Sequence, residues 1–327
     1  MTQLAETALS IELSPPDIGP YRAGNTGVPY VTTFDSGRSG PHAMICAIVH
    51  GNELCGAIAL DRLFQSDVRP LRGRLSLVFA NPDAFMRFDA EHPTASRFVN
   101  EDMNRVWSLD VLAGSRTNVE IERARALRPL IDSVDVLLDL HSMQSDCAPL
   151  ILTGPSRKGR TLAAALASAA LIVADDGHAA GTRLRDYAGF GTPGDPRNAL
   201  LVECGQHWRA KTAAVAIDIA YRFLVQFDMI HINDARPHLL PSEPVPDKWI
   251  DVTDTVDVTS EQCRFTGDYK GLEVIPLAGT VICVDGGREI RTPYDDCVLV
   301  MPTRRLAPGL TAVRLGRYLD ISQADDD

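Results

Sequence analysis

No run of apolar residues in this chain is long enough to cross a bilayer. The longest, Leu162 to Ala174, falls short of the roughly 18 residues that a spanning helix needs, and its alanine content predicts a buried helix instead. The amino terminus, Met1-Thr2-Gln3-Leu4-Ala5-Glu6, lacks the positive region and apolar stretch of a secretory signal, so a cytoplasmic location without membrane contact is expected. Cysteine is scarce: seven residues, an odd number with no C-x-x-C pair, fit reduced thiols better than a disulfide framework. Positive charge is in deficit, with 32 Lys and Arg against 43 Asp and Glu and a formal charge of −11. A pI near 5.2 leaves no electrostatic footprint for nucleic acid, and any anionic substrate must be drawn by local arginines. There is no repeat or low-complexity tract beyond the acidic end Asp325-Asp326-Asp327, whose composition fits a disordered tail.

What is present is apolar material for two cores, 45% of 327 residues, enough for one large domain and a smaller one. Ile11-Glu12-Leu13 and Tyr30 to Phe34 predict short leading strands on either side of a Pro and Gly segment, Pro15 to Pro29. Strand and helix patterns then alternate through Ala43 to Val49, Glu53 to Phe64, Arg74 to Phe79, Val119 to Ile131, Val134 to Leu140, Leu150 to Leu152, Arg160 to Ala174, Leu200 to Glu203 and Lys211 to Phe227. This order predicts an α/β sheet with helices on both faces. Between Phe79 and Val119 the chain is irregular, and a loop of that length is usually functional. Four prolines between Pro237 and Pro246 mark a linker. It divides residues 1–235 from a β-rich domain of residues 247–327, whose short glycine-punctuated runs predict a small barrel or sandwich.

The most informative segment is His50-Gly51-Asn52-Glu53, directly after the first buried strand pattern and before a helix. A nitrogen donor and a carboxylate three residues apart at a strand-to-helix turn match two of the three protein ligands of a catalytic zinc site. A second strand pattern ends in Asp139-Leu140-His141-Ser142. Side chains alternate along a strand, so Asp139 shares a face with His141 and can accept the second ring N–H of a metal-bound histidine. A third ends in Glu203-Cys204-Gly205-Gln206-His207, where an acid at the carboxyl edge of the sheet is well placed as a general base. Taken singly, His50 and Glu53 could be a surface pair, His141 a satisfied core histidine and Glu203 an arginine partner. Cys204 is tempting as a nucleophile, but as the neighbour of Glu203 on a strand it faces the other way.

In order along the chain, His50-Gly51-Asn52-Glu53-Leu54-Cys55-Gly56, Asn81-Pro82-Asp83-Ala84, Arg97 to Arg105, Asp139-Leu140-His141-Ser142 and Val202-Glu203-Cys204-Gly205 resemble the motif series of the aspartoacylase and succinylglutamate desuccinylase family, relatives of the zinc carboxypeptidases. The resemblance runs over about residues 43 to 227. It implies a zinc-carboxypeptidase-like mixed sheet flanked by helices, with a smaller C-terminal β-rich domain. It implies one zinc ion bound by His50, Glu53 and His141, water activated at the metal by Glu203, and a scissile carbonyl polarised by Arg97. It also implies that Asn104 and Arg105 hold a substrate carboxylate.

The expected activity is therefore removal of an acyl group, N-acetyl or N-succinyl, from a small-molecule N-acyl amino acid. The alternatives are a metallocarboxypeptidase acting on peptides and a zinc-binding protein without turnover, and Glu203 and Arg97 speak against the last because binding alone needs neither. Spacing between His141 and Glu203 departs from the family pattern, leaving Arg183, Arg185 and Arg197 as further carboxylate partners. Whether Tyr294 reaches the site or belongs to an ordinary turn stays open, as does assembly into a homo-oligomer.

Overall fold

The structure, a computed structural model, describes residues 11–177, 180–241 and 246–320. Its strands are β1 (Val31–Asp35), β2 (His42–Ala47), β3 (Arg74–Phe79), β4 (Val136–Met143), β5 (Leu150–Leu152), β6 (Leu171–Ala174), β7 (Asn198–Gln206), β8 (Lys248–Asp257), β9 (Arg264–Phe265), β10 (Glu273–Ile275), β11 (Val281–Asp285), β12 (Arg288–Arg291), β13 (Cys297–Val300) and β14 (Thr311–Asp320). The helices are α1 (Leu54–Gln65), α2 (Pro82–Phe85), α3 (Leu109–Ala113), α4 (Val119–Ile131), α5 (Arg157–Ala165), α6 (Ala210–Gln226) and α7 (Ile232–Ala235). Among the described residues none is long and apolar enough to cross a membrane.

One mixed sheet takes the order β1-β3-β2-β4-β7-β5-β6-β8-β14-β13-β10. Its middle, β3, β2, β4 and β7, is parallel, and every residue of β2 and β4 is buried, as continuous apolar runs in a doubly covered sheet require. Alternation splits β2 between two cores. Ala43, Ile45 and Ala47 pack with α1 and α6 through Leu60, Leu63, Ala216 and Phe223, while Met44 and Cys46 pack with Ile121, Ala124 and Leu127 of α4. Because β2, β4 and β7 run the same way, their carboxyl ends deliver His50, His141 and Glu203 to one edge.

Two expectations fail. The run Arg160 to Ala174 is not one helix: α5 stops at Ala165, Ala167 takes a left-handed φ of 48°, and Leu171–Ala174 becomes β6, hydrogen-bonded between β5 and β8. An open slot in the sheet and β-branched Ile172 and Val173 outweigh the helical preference of the alanines. Ile11-Glu12-Leu13 is no strand. Glu12 instead fastens the chain to the start of α6, its N–H donating to the Trp208 carbonyl and its carboxylate accepting from the Ala210 N–H.

Past the proline segment, which lies partly outside the described residues along with the acidic tail, β8 pairs in parallel with β6. The ladder of the large sheet thus continues into β14, β13 and β10. A second sheet, β12-β11-β9, closes over it around Val256, Ile275, Ile282, Cys283, Leu299 and Val313.

Candidate active site

The turn after β2 is built under constraint. Ile48 is fully buried yet has a φ of 54°, a costly conformation for a β-branched residue and one that clusters at functional sites. Gly51 is required by close approach: a Cβ there would stand 2.4 Å from backbone atoms of Ala84 and Phe85. Its N–H donates to the Arg97 carbonyl, joining the turn to the irregular loop.

The turn presents His50 and Glu53 to His141 on β4. His50 Nδ1 lies 2.7 Å from Glu53 Oε1 and His141 Nδ1 3.0 Å from Glu53 Oε2. All three side chains are buried, and one ligand atom from each lies within 4.8 Å of the others. Burial alone would raise the Glu53 carboxyl, but the two imidazoles more than offset it and hold Glu53 well below the usual carboxylate range. Two nitrogen donors and one anionic oxygen converging in a protected cluster could hold a metal ion, and a donor set of this kind suits zinc.

The far edge of each ring meets a carboxylate. His141 Nε2 lies 2.9 Å from Asp139 Oδ2, and His50 Nε2 lies 2.8 Å from Asp102 Oδ1. Burial pushes Asp102 up, yet His50 and Arg97 carry it well below the ordinary value. Arg97 reaches the cluster from the loop, donating to Asp102 Oδ2 at 3.0 Å and to Glu53 Oε1 at 3.4 Å. The loop itself is clamped by Glu120 of α4, fully buried, whose carboxylate accepts the N–H groups of Val99, Asn100 and Glu101.

Glu203 on β7 lies directly opposite His141 in the β4–β7 register. Its Oε2 is buried and has no hydrogen-bond partner among the described residues. Burial first, then the charge of Glu53, pushes the carboxyl up to about 8. Cys204 points away into the core shared with α1 and α6, and burial raises its thiol well above the ordinary value, so it has no part in this cluster.

These groups line a cavity of about 520 Å³ that also takes in Asn104, Arg105, Arg183, His207 and Arg314. Asn104 Oδ1 accepts the Leu184 N–H. Arg105 donates to the Asn104 carbonyl and has no carboxylate hydrogen-bond partner among the described residues; burial lowers its guanidinium to about 10, with Arg97, Arg183 and Arg314 adding repulsion. Arg183 lines the cavity but is held in two-point contact by Asp175. Arg185 is committed to the Thr153 and Ala199 carbonyls and Arg197 to Asp195.

From the C-terminal strands the cavity receives Arg314, buried and ion-paired through Nε with Asp175 Oδ2 at 3.3 Å, rather than Tyr294. That phenol lies 2.6 Å from the Thr253 hydroxyl with Arg317 over its ring, because β14 and β8 pair there and hold it away. Asp102, Glu120, His207 and Arg314 were not given roles from sequence. Asp102 stands inside the Arg97 to Arg105 segment, but no spacing ties Arg314 or Glu120 to the histidines.

Residues 39–223 match the family model of the succinylglutamate desuccinylase/aspartoacylase catalytic domain. No curated protein matches the sequence. Among solved structures, succinylglutamate desuccinylase from Vibrio cholerae is similar with a TM-score of 0.65 at 17% identity, covering 89% of this chain and 86% of its own. The ectoine utilization protein EutE (DoeB) from Ruegeria pomeroyi has a TM-score of 0.61 at 15% identity, over 90% and 92%. An aspartoacylase family protein from Mesorhizobium loti has 0.58 at 20% identity, over 88% of each chain. At these identities the neighbours establish the fold, and the family model covers more than half of the sequence. The chain belongs to the succinylglutamate desuccinylase/aspartoacylase family of linear amide hydrolases.

Proposed function

We propose that this protein is a zinc-dependent deacylase of small N-acyl amino acids, with one zinc ion per chain held by His50, Glu53 and His141. The observation that carries the reading is a single buried cluster in which this donor set stands beside the Arg97 guanidinium and Glu203, whose Oε2 has no hydrogen-bond partner among the described residues. Bound there, zinc acidifies water to a pKa of about 7 and polarises a carbonyl as a Lewis acid.

The remaining roles fall to the chain itself. Glu203 takes the proton of the attacking water and passes it to the leaving nitrogen as the C–N bond breaks. A carboxyl raised toward neutrality suits that exchange. Arg97 stays charged at any working pH and meets the oxyanion that develops on the scissile carbonyl. Arg105, with no carboxylate partner of its own, offers a planar fork to the substrate carboxylate. Asn104 has its amide oxygen committed to Leu184, so its NH₂ group is the part that serves the substrate. Asp102 and Asp139 orient the two histidine rings. Residues 1–235 hold the metal, and residues 247–327 narrow the cleft through Arg314.

The test is release of free amino acid from a panel of N-acetyl and N-succinyl amino acids, run beside unblocked dipeptides. Release from the N-acyl panel and not from dipeptides is expected. Preference for dipeptides would favour a carboxypeptidase, and no release from either would leave a binding protein.

A further inference from the structure

We infer that His207 is a specificity residue of this cavity: fixed by Ser142, its imidazole donates a hydrogen bond from Nε2 to an acyl group that carries an acceptor beyond the scissile carbonyl. The inference rests on the deacylase reading above and adds to it the wall that reads the acyl part.

The ring is immobilised from several directions. Its backbone N–H donates to the Met143 carbonyl at 2.7 Å, its Nδ1 lies 2.7 Å from the Ser142 hydroxyl, and it packs 5.2 Å from the Trp208 ring. Trp208 is itself pinned, its indole N–H donating to the Asn52 carbonyl at 2.9 Å, and the Ser142 N–H is held by Glu53.

The tautomer follows from these contacts. The Ser142 hydroxyl has no other acceptor among the described residues, and a buried hydroxyl left without one costs roughly 1 to 3 kcal/mol. Its O–H therefore goes to Nδ1, which places the ring proton on Nε2. His207 is 3% exposed and lines the cavity, and Nε2 has no partner among the described residues.

An unused N–H donor on the cavity wall calls for an acceptor on the ligand, since burying it against a hydrocarbon would leave it unsatisfied. That wall comes from the ends of β2, β4 and β7. Arg105 comes instead from the turn at residues 103–105, Arg183 from just before the turn at residues 184–186, and Arg314 from β14. With the amino acid's carboxylate held at Arg105, the His207 side of the cavity is left to the acyl chain.

The experiment compares kcat/KM for the N-succinyl and N-butanoyl forms of one amino acid, equal in chain length but differing in a terminal acceptor, on zinc-loaded protein. Wild type should favour the succinyl form. His207→Ala should cut the succinyl-to-butanoyl ratio by about tenfold, the size of one lost hydrogen bond. His207→Gln, which keeps an N–H donor, should retain part of the preference, and Ser142→Ala should reduce it by freeing the ring. Zinc content and melting temperature are measured on each variant, and the last two carry the test if His207→Ala does not fold. An unchanged ratio, an equal fall on both substrates or a wild-type preference for butanoyl would overturn the inference while the deacylase reading stands. A wild type inactive on every N-acyl amino acid would overturn both.

Discussion

Asp102 Oδ1 stands 2.8 Å from His50 Nε2, on the ring edge opposite the one that meets Glu53. The same arrangement recurs at His141, where Asp139 takes the far nitrogen, so each imidazole is gripped by a carboxylate while Nδ1 faces the cluster. Partners of this kind typically account for about 10 to 100-fold in metal affinity. Asp102→Asn and Asp139→Asn should each weaken zinc by that order in a competitive chelator titration, with the fold retained. Unchanged affinity in either variant would make that carboxylate structural only.

Glu120 makes a second prediction. It accepts three successive backbone N–H groups, Val99 to Glu101, just before the turn that carries Asn104 and Arg105. Glu120→Ala leaves these donors without their acceptor, and should lower stability by about 3 kcal/mol and speed amide exchange at Val99 to Glu101. Wild-type exchange there would show that the loop is held by something else.

The two arginines should separate kinetically. In the proposed mechanism Arg97 acts once charge develops, so Arg97→Ala should lower kcat, by a barrier of roughly 3 to 4 kcal/mol, with less effect on KM. Arg105 grips ground state and transition state alike, so Arg105→Ala should chiefly raise KM. Converting the substrate carboxylate to an amide should cost wild type and Arg97→Ala much activity and Arg105→Ala little. Equal discrimination in all three would move the carboxylate to Arg314 or Arg183.

Glu203 gives the metal-free protein a pH dependence. Its carboxyl rises from an ordinary 4.5 to about 8 in the folded state, so between those values the folded chain binds more protons than the unfolded one. Stability from this group is then greatest below about pH 4.5 and falls as pH rises toward 8. Glu203→Gln removes the penalty. The metal-free variant should match wild type near pH 4 and exceed it at pH 8 by on the order of 2 to 4 kcal/mol. Equal stability at both pH values would mean that Glu203 is better solvated than its burial implies.

Sequence disclosed the site where chemistry and strand ends coincide, and lost it where contacts are long-range. His50, Glu53, His141 and Glu203 each follow a buried strand, and parallel pairing of β2, β4 and β7 brings those ends together without further information. Arg97 and Asn104 lie in an irregular loop, where no strand or helix pattern marks them and only the resemblance of the Arg97 to Arg105 motif singles them out. Arg314 comes from β14, whose approach to the cavity depends on β8 extending the sheet from β6, and no local pattern reports such a pairing. The same pairing explains the misread alanine run: Leu171–Ala174 is a strand because two neighbours hydrogen-bond to it, a tertiary cause that overrides propensity.

The central claim is that His50, Glu53 and His141 hold one catalytic zinc ion. Its most direct test is metal content measured together with deacylation of the best N-acyl amino acid, before chelation, after chelation and after adding zinc back. The account predicts close to one zinc per chain, activity lost with the metal and restored by one equivalent, and neither in a His50→Ala/His141→Ala double variant. Full zinc occupancy or full activity in that double variant would contradict it.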